Sequence, residues 1–353
     1  RLWVIGGGSV YEQALADGIA TAGAKTGSIL VMNPNNGEIL ALATAPSFDS
    51  ANPGATDAGN LGNRTVTEAY EPGSTEKVLT MAALTDSGLV TPDTKVDVPA
   101  SIASGSGTVT DSFEHGRIKL TARGVVAQSS NIGTIKLARQ LDKGKLHEYL
   151  TSFGLGSAPG SGLPAETSGS LPGADMADYT RDQISFGQGL SVSVVQMGAA
   201  LSAVVNGGTY HQPQIIRSAT NPDGTPISLA TPASRRVISE EASGMVVNMM
   251  ESVITSVSSE RAIPGYRTAG KSGTAQRYDA SCKCYNGYSS FVGIAPAENP
   301  QLLVYVVLDQ PTNGNLGSQL ALPVVNNVLQ MALPRYNVAP SSTPAPKEPL
   351  EWE

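Results

Sequence analysis

Strand-like apolar runs stand at the two ends of this 353-residue chain with helical spacing between them, and that distribution limits the fold more than any single motif. Near the start, Ser28 to Met32 and Glu38 to Ala43 flank Asn33-Pro34-Asn35-Asn36-Gly37, a turn sequence that predicts a hairpin. In the final third, Tyr266 to Gln276, Ser289 to Pro296 and Gln301 to Asp309 read as strands, the last two joined by a turn at Ala297-Glu298-Asn299-Pro300. Between them, helical spacing runs from Ser74 toward Gly88, through Val125 to Ala138, and over Leu146 to Phe153, Ser191 to Val205 and Ser239 to Ser252. Val10 to Ala22 and Ser318 to Leu333 also predict helices. One sheet must therefore collect strands from distant parts of the chain and be flanked by helices, which is an α/β protein of the α+β kind. Pro46 to Asn63 and Gly154 to Gly173 read as loops, Thr91 to Leu120 as an irregular excursion, and Pro340 to Glu353 as a Pro-rich tail without a fixed fold.

The helix that follows Tyr70-Glu71-Pro72-Gly73 opens on Ser74, with Lys77 three residues further on. Residues three apart on a helix share a face, with Cβ atoms roughly 5–6 Å apart, so the Lys77 amine is expected to reach the Ser74 hydroxyl. A serine attacks poorly until a neighbour takes its proton, and a lysine can do so when burial and nearby cations keep it neutral. The helix N-terminus would add a backbone N–H for a developing oxyanion. Taken alone, Ser-x-x-Lys reads more simply as a capping serine beside a surface lysine.

A net charge of −7 without a basic run argues against nucleic acid and against an anionic membrane surface. No stretch approaches the roughly 20 apolar residues of a membrane span. The chain opens abruptly on Arg1-Leu2-Trp3-Val4-Ile5, so a preceding N-terminal portion is expected. Cys282 and Cys284, with His115, His147 and His211 scattered, cannot fill a four-ligand zinc site, and neither metal nor cofactor is expected. The two thiols either close a very tight bridge or stay free.

Gly265-Tyr266-Arg267-Thr268-Ala269-Gly270-Lys271-Ser272 matches the phosphate-loop pattern, but such a loop leaves a buried strand and enters a helix. Here polar residues precede it and Gly273-Thr274-Ala275-Gln276 continues as strand. Read as Lys271-Ser272-Gly273, the same residues complete a series with Ser74-Thr75-Glu76-Lys77 and Ser129-Ser130-Asn131. Their order and approximate spacing are those of the penicillin-recognising serine transferases. Together with Gly187-Gln188-Gly189-Leu190-Ser191 and Pro264-Gly265-Tyr266, they make the chain resemble class B penicillin-binding proteins from about Thr26 to Leu333. Cys282-Lys283-Cys284-Tyr285 and Glu114-His115-Gly116 resemble the septal, division-specific members of high-GC Gram-positive bacteria.

The resemblance implies the penicillin-recognising serine transferase fold: a mostly antiparallel five-stranded sheet flanked by helices, plus an all-helical subdomain. Residues 1–25 would be a remnant of an N-terminal region, 26–334 the transpeptidase domain and 335–353 the C-terminal tail. The implied reaction is D,D-transpeptidation, in which stem peptides are cross-linked with release of a terminal D-Ala. Ser74 would be the acylated nucleophile and Lys77 its general base. Ser129 would relay a proton to the leaving group, Asn131 would bind the donor peptide amide, and Lys271 would tune both Ser129 and Lys77. Ser272 and Thr274 would hold the terminal carboxylate. Gly273 belongs to the same binding strand, and the N–H groups of Ser74 and Thr274 would form the oxyanion hole. Gln188 either lines the pocket or makes a turn. Implied partners are the stem-peptide donor and amine acceptor, β-lactams, a glycosyltransferase and other division proteins. The implied location is the extracytoplasmic face of the membrane at the septum, with an anchor and a non-catalytic pedestal preceding this sequence.

Two departures from the family pattern stand out. Glu76 occupies a position where the family usually carries Phe or Met; it should point away from Ser74 into packing, where it needs water or a cation. Ser258 to Ile263 is shorter than the family's approach to Pro264. A serine β-lactamase is the alternative within the superfamily, with Glu166 as the candidate to activate water, although Leu163 to Gly169 lacks the sequel expected there. A non-catalytic penicillin sensor or division scaffold is the alternative in another class. Taken singly, Ser129 and Asn131 read as a helix-end cap, Lys271 as a solvated strand charge, and Gly187 and Gly189 as turn glycines. His115 reads as a structural loop residue.

Overall fold

The N-terminal hairpin and the three C-terminal strands join in one antiparallel sheet, as the placing of the apolar runs requires. The computed structural model describes residues 8–48, 51–256, 262–279 and 284–353. In chain order, the elements that position the site begin with α1 (Gly8–Ala22), β1 (Thr26–Met32) and β2 (Ile39–Ala45). A helical stretch follows with α2 (Lys77–Asp86), α3 (Ala122–Gln128), α4 (Asn131–Ala138), α5 (Val194–Val205) and α6 (Glu240–Thr255). The chain then returns to the sheet through β3 (Ala269–Asp279), β4 (Cys284–Ala295) and β5 (Leu302–Asp309), and closes with α7 (Leu322–Arg335).

Strand order is β3-β4-β5-β1-β2. The central pair, β1 and β5, reads as continuous apolar sequence because helices cover both of its faces. Their register sets Ile29 opposite Val306 and Leu30 opposite Tyr305. On one face α5 comes so close that a Cβ on Gly198 would lie 2.2 Å from Leu30 Cδ2. On the other, α1 and α7 pack together over the sheet. Within α1, Tyr11 and Leu15 are buried in the common core, so residues 8–22 pack as a layer of the fold.

Other differences from the sequence reading have local causes. The excursion over Thr91 to Leu120 contains two short ladders, Lys95–Val98 with Ile118–Thr121 and Ile102–Ser104 with Gly107–Val109, too brief to show periodicity. β4 begins before the apolar run at Ser289, because its polar start continues the ladder with β3. The tail is docked: Ser341 N–H donates to Gly265 O (2.9 Å), Thr121 N–H to Leu350 O (2.9 Å), and Trp352 N–H to Lys119 O (3.2 Å). The Lys95 and Lys119 amines both lie over the Trp352 ring, 5.1 and 4.8 Å from its centroid. Composition judges only what a segment can bury within itself, and this one uses partners on the body. The pairing of Cys282 with Cys284 and most of Ser258 to Ile263 fall outside the described residues. Among the described residues no helix is long and apolar enough to cross a membrane.

Candidate active site

Ser74 is placed by its backbone neighbours. Gly73 takes φ +58°, a conformation glycine tolerates, and Gly73–Thr75 form a tight turn that runs into α2. The Gly73 N–H donates to Gly187 O (3.0 Å), and Gly187, at φ +89°, comes so near that an added Cβ would lie 1.9 Å from Gly73 O. Gly189 N–H donates to Glu71 Oε1 (3.0 Å). The Gly187-Gln188-Gly189 turn is thus braced against the nucleophile turn, and Gln188 reaches the cleft wall.

A polar knuckle, Ser129-Ser130, joins α3 to α4. Ser129 ends α3 at φ 59°, a left-handed conformation that costs a non-glycine residue roughly 1–2 kcal/mol. Ser130, not Ser129 or Asn131, caps α4, its hydroxyl accepting from Gly133 N–H (2.9 Å). Lys271 and Ser272 lie within β3, the edge strand, which rules out the helix start a phosphate loop needs. The Lys271 side chain is fully buried, so it is no solvated edge charge.

Three segments remote in sequence therefore meet. Lys77 Nζ donates to Ser129 O and to Asn131 Oδ1, both at 2.7 Å, and stands 3.3 Å from Ser129 Oγ. Lys271 Nζ donates to that same Oγ at 2.8 Å and to Ser272 O at 3.0 Å. Ser74, Ser129, Asn131, Gln188, Ser272 and Thr274 share one cleft of about 710 Å³. The expected Lys77–Ser74 hydrogen bond is not made here, since the contacts of the amine go to Ser129 and Asn131. A neutral amine has two hydrogens and one lone pair. The two short contacts use the hydrogens, and the lone pair remains to take a proton.

Burial brings the Lys77 pKa down to about 7, against the carboxylates of Asp111 and Glu76, which raise it. Lys271 is held well below the usual lysine range, first by burial and then by the Lys77 charge. Glu76 is fully buried, and the Thr80 hydroxyl, one turn along its own helix, lies 3.0 Å from each of its oxygens. Burial pushes its pKa well up, with the Thr80 bond and Lys77 pulling the other way.

Thr274 carries its backbone toward the nucleophile. A Cβ on Gly73 would lie 2.9 Å from Thr274 O, so that carbonyl faces the Ser74 turn. In an antiparallel strand the N–H and C=O of one residue share an edge, which turns the Thr274 N–H the same way. Gly273 permits the close approach, since a Cβ there would lie 2.9 Å from Pro72 O, just before the Ser74 turn. Glu166 is committed elsewhere: its carboxylate accepts from Gly160 N–H (2.6 Å), Ser161 N–H (2.7 Å) and the Ser161 hydroxyl. Tyr288 packs on the Tyr70 ring, centroids 5.1 Å apart. Sequence reasoning missed Thr110, Asp111 and Ser112 on the cleft wall, because the segment that supplies them has no periodic signal. It also missed Phe186, although that residue directly precedes the Gly187 turn.

Residues 27–330 match the family model described as the penicillin binding protein transpeptidase domain. The chain is 36% identical to penicillin-binding protein PbpB of Mycolicibacterium smegmatis over 346 residues, covering 94% of this chain and 53% of that protein. It is also 36% identical to stage V sporulation protein D of Bacillus subtilis, over 92% of this chain and 51% of that one. It thus spans about half the length of the curated relatives it matches. Among solved structures, penicillin binding protein 3 of Mycobacterium tuberculosis complexed with ampicillin superposes with a TM-score of 0.89 at 33% identity, covering 98% of this chain and 80% of that one. The transpeptidase domain of Burkholderia pseudomallei penicillin-binding protein 3 gives 0.80 at 31%, covering 95% and 96%.

Proposed function

This chain belongs to the penicillin binding protein transpeptidase domain family, and on that premise we propose that it is the catalytic domain of a peptidoglycan D,D-transpeptidase. The observation that carries the proposal is the convergence of two buried lysine amines on the Ser129 hydroxyl, in the cleft that holds Ser74.

In this reading Ser74 Oγ attacks the carbonyl of the penultimate D-Ala while neutral Lys77 accepts its proton. The oxyanion is met by the N–H groups of Ser74 and Thr274. Ser129, between the two amines, passes a proton to the departing D-Ala nitrogen as the peptide bond breaks and the acyl-enzyme forms. Ser272 and Thr274 hold the terminal carboxylate, and Lys271, bonded to Ser129 Oγ, tunes Ser129 and Lys77. Asn131 binds the donor amide by exchanging its long contact to Thr110 O (3.3 Å) for one to substrate. An acceptor amine then attacks the ester, gives up a proton and frees Ser74. The β-lactamase alternative is disfavoured by the commitment of Glu166 to Gly160 and Ser161, which leaves it no part in the cleft.

The reading places catalysis outside the cytoplasmic membrane, where stem peptides are cross-linked, and at the division septum, with a glycosyltransferase and other division proteins as partners. Likeness to the mycobacterial PbpB protein supports the septal role. Intact-mass spectrometry after addition of benzylpenicillin tests the chemistry. A long-lived adduct, absent in Ser74→Ala, is expected; rapid return to the free mass would make the protein a hydrolase, and no adduct would make it a scaffold.

A further inference from the structure

Asp111 lies in the excursion between α2 and α3, and its side chain is wholly buried against the knuckle that carries Ser129 and Asn131. Its Oδ1 accepts the backbone N–H of Ile132 at 3.0 Å. Its Oδ2 accepts the Ser130 hydroxyl at 2.7 Å and faces His115 Nε2 at 3.0 Å. Next to it, Thr110 O accepts from Asn131 Nδ2. The first turn of α4 is therefore gripped at three successive residues, Ser130, Asn131 and Ile132, by two residues of one loop. Behind Asp111, the other ring nitrogen of His115 meets Gly116 O at 2.7 Å, and the ring packs on Phe113 with centroids 4.8 Å apart. Both imidazole nitrogens face oxygen atoms, so the ring is held from both sides.

We propose that Asp111 is a positioning residue of the active site: its carboxylate clamps the first turn of α4 and so fixes the Ser129 carbonyl and Asn131 Oδ1 against the Lys77 amine. A carboxylate that only capped α4 would need one contact to one N–H. This one also holds Ser130, which sits between the two groups that receive the Lys77 hydrogens. Without the clamp, the left-handed Ser129 loses a restraint that keeps it out of the commoner helical conformation. Asp111 also acts on Lys77 through its charge. The charged and titratable groups facing Lys77 are Glu76 beside it on the helix, Asp111 across the knuckle with His115 behind it, and Lys271 from β3.

This inference rests on the proposed acyl transfer only for one of its two readouts. The first is the acylation rate of the cleft by a fluorescent penicillin between pH 5 and 9, for wild type, Asp111→Ala and Asp111→Asn, with melting temperatures measured alongside. The second is the titration of the Lys77 ε-methylene by carbon-13 NMR in the unacylated protein, assigned with Lys77→Arg. Asp111→Ala is expected to lower the plateau acylation rate at least tenfold while the protein stays folded at the assay temperature. Asp111→Asn keeps an acceptor for Ile132 and loses the charge, so its plateau falls less and the Lys77 midpoint moves to lower pH. An unchanged midpoint in Asp111→Asn, or a wild-type rate in folded Asp111→Ala, overturns the proposal. If wild type itself is not acylated, the functional reading fails, and the Lys77 titration still decides the clamp.

Discussion

Lys77 is pulled in two directions: burial drives its proton off, and two carboxyl groups draw it back, with burial the stronger influence. If the acyl transfer proceeds as proposed, the rate of penicillin acylation under kcat/KM conditions should rise through an inflection near pH 7, where the free amine loses its charge. A stopped-flow pH profile with its inflection near pH 10 would mean that Lys77 is not the base. Glu76 is itself pushed well up by burial. A carboxyl whose folded pKa is raised gives its full stabilising contribution below its unfolded pKa and loses it as pH climbs toward the folded value. Glu76→Gln should therefore gain stability over wild type as pH rises from about 4.5, by up to about 1.4 kcal/mol per pH unit across that window. Urea midpoints at pH 5 and pH 9 check this, and an equal gap at both pH values would contradict it. Resemblance to the family's motifs, in residue type and order, pointed to Ser74, Lys77, Ser129, Asn131 and Lys271, and the fold brings these residues together. Where the Lys77 hydrogens go was not legible, since three-residue spacing gives reach and says nothing of the competing acceptors across the knuckle.

At the scale of elements, two turns and one strand edge determine where the nucleophile sits. Gly187 and Gly189 could be read as turn glycines, but no periodicity tells which backbone a turn will touch, and contact with Gly73 is visible only in the fold. Gly187→Ala must displace the Ser74 turn or its own loop, because the new methyl would enter the Gly73 carbonyl at a φ that favours glycine. The expected outcome is a fall in penicillin acylation of about a hundredfold, in line with the penalty for misplacing a reacting group by about 1 Å. Ser193→Ala supplies the contrast. Ser193 caps α5 through a reciprocal pair with Gln196, so its loss should cost about 1 kcal/mol of stability. Its acylation rate should stay within twofold of wild type, and if both variants lost activity in proportion to stability, the special role of the Gly187 contact would be refuted.

For the whole molecule, the two-ended distribution of strands forecast a sheet built from both termini, and that was legible because central strands buried on both faces must be apolar throughout. The tail was not legible, and Gly124 shows why. A glycine inside a helix costs about 1 kcal/mol relative to alanine, and nothing within α3 itself calls for one. In the fold an added Cβ there would lie 1.9 Å from Leu350 O, so Gly124 clears the path along which the tail crosses the start of α3. There Thr121 N–H and Oγ1 both bond tail carbonyls, filling positions that a helix start leaves open. The same tail bonds Gly265 and Arg267 just before β3, so it ties the approach to Lys271 to the helix that ends at Ser129. It follows that Gly124→Ala should change sign with context. In the full chain the methyl lifts the tail and destabilises; in a chain ending at Ala339 it restores helix propensity and stabilises by about 0.5–1 kcal/mol. Urea unfolding of the four proteins in this double-mutant cycle measures the coupling directly. Equal effects in the two backgrounds would show that the tail exerts no hold on α3 in solution.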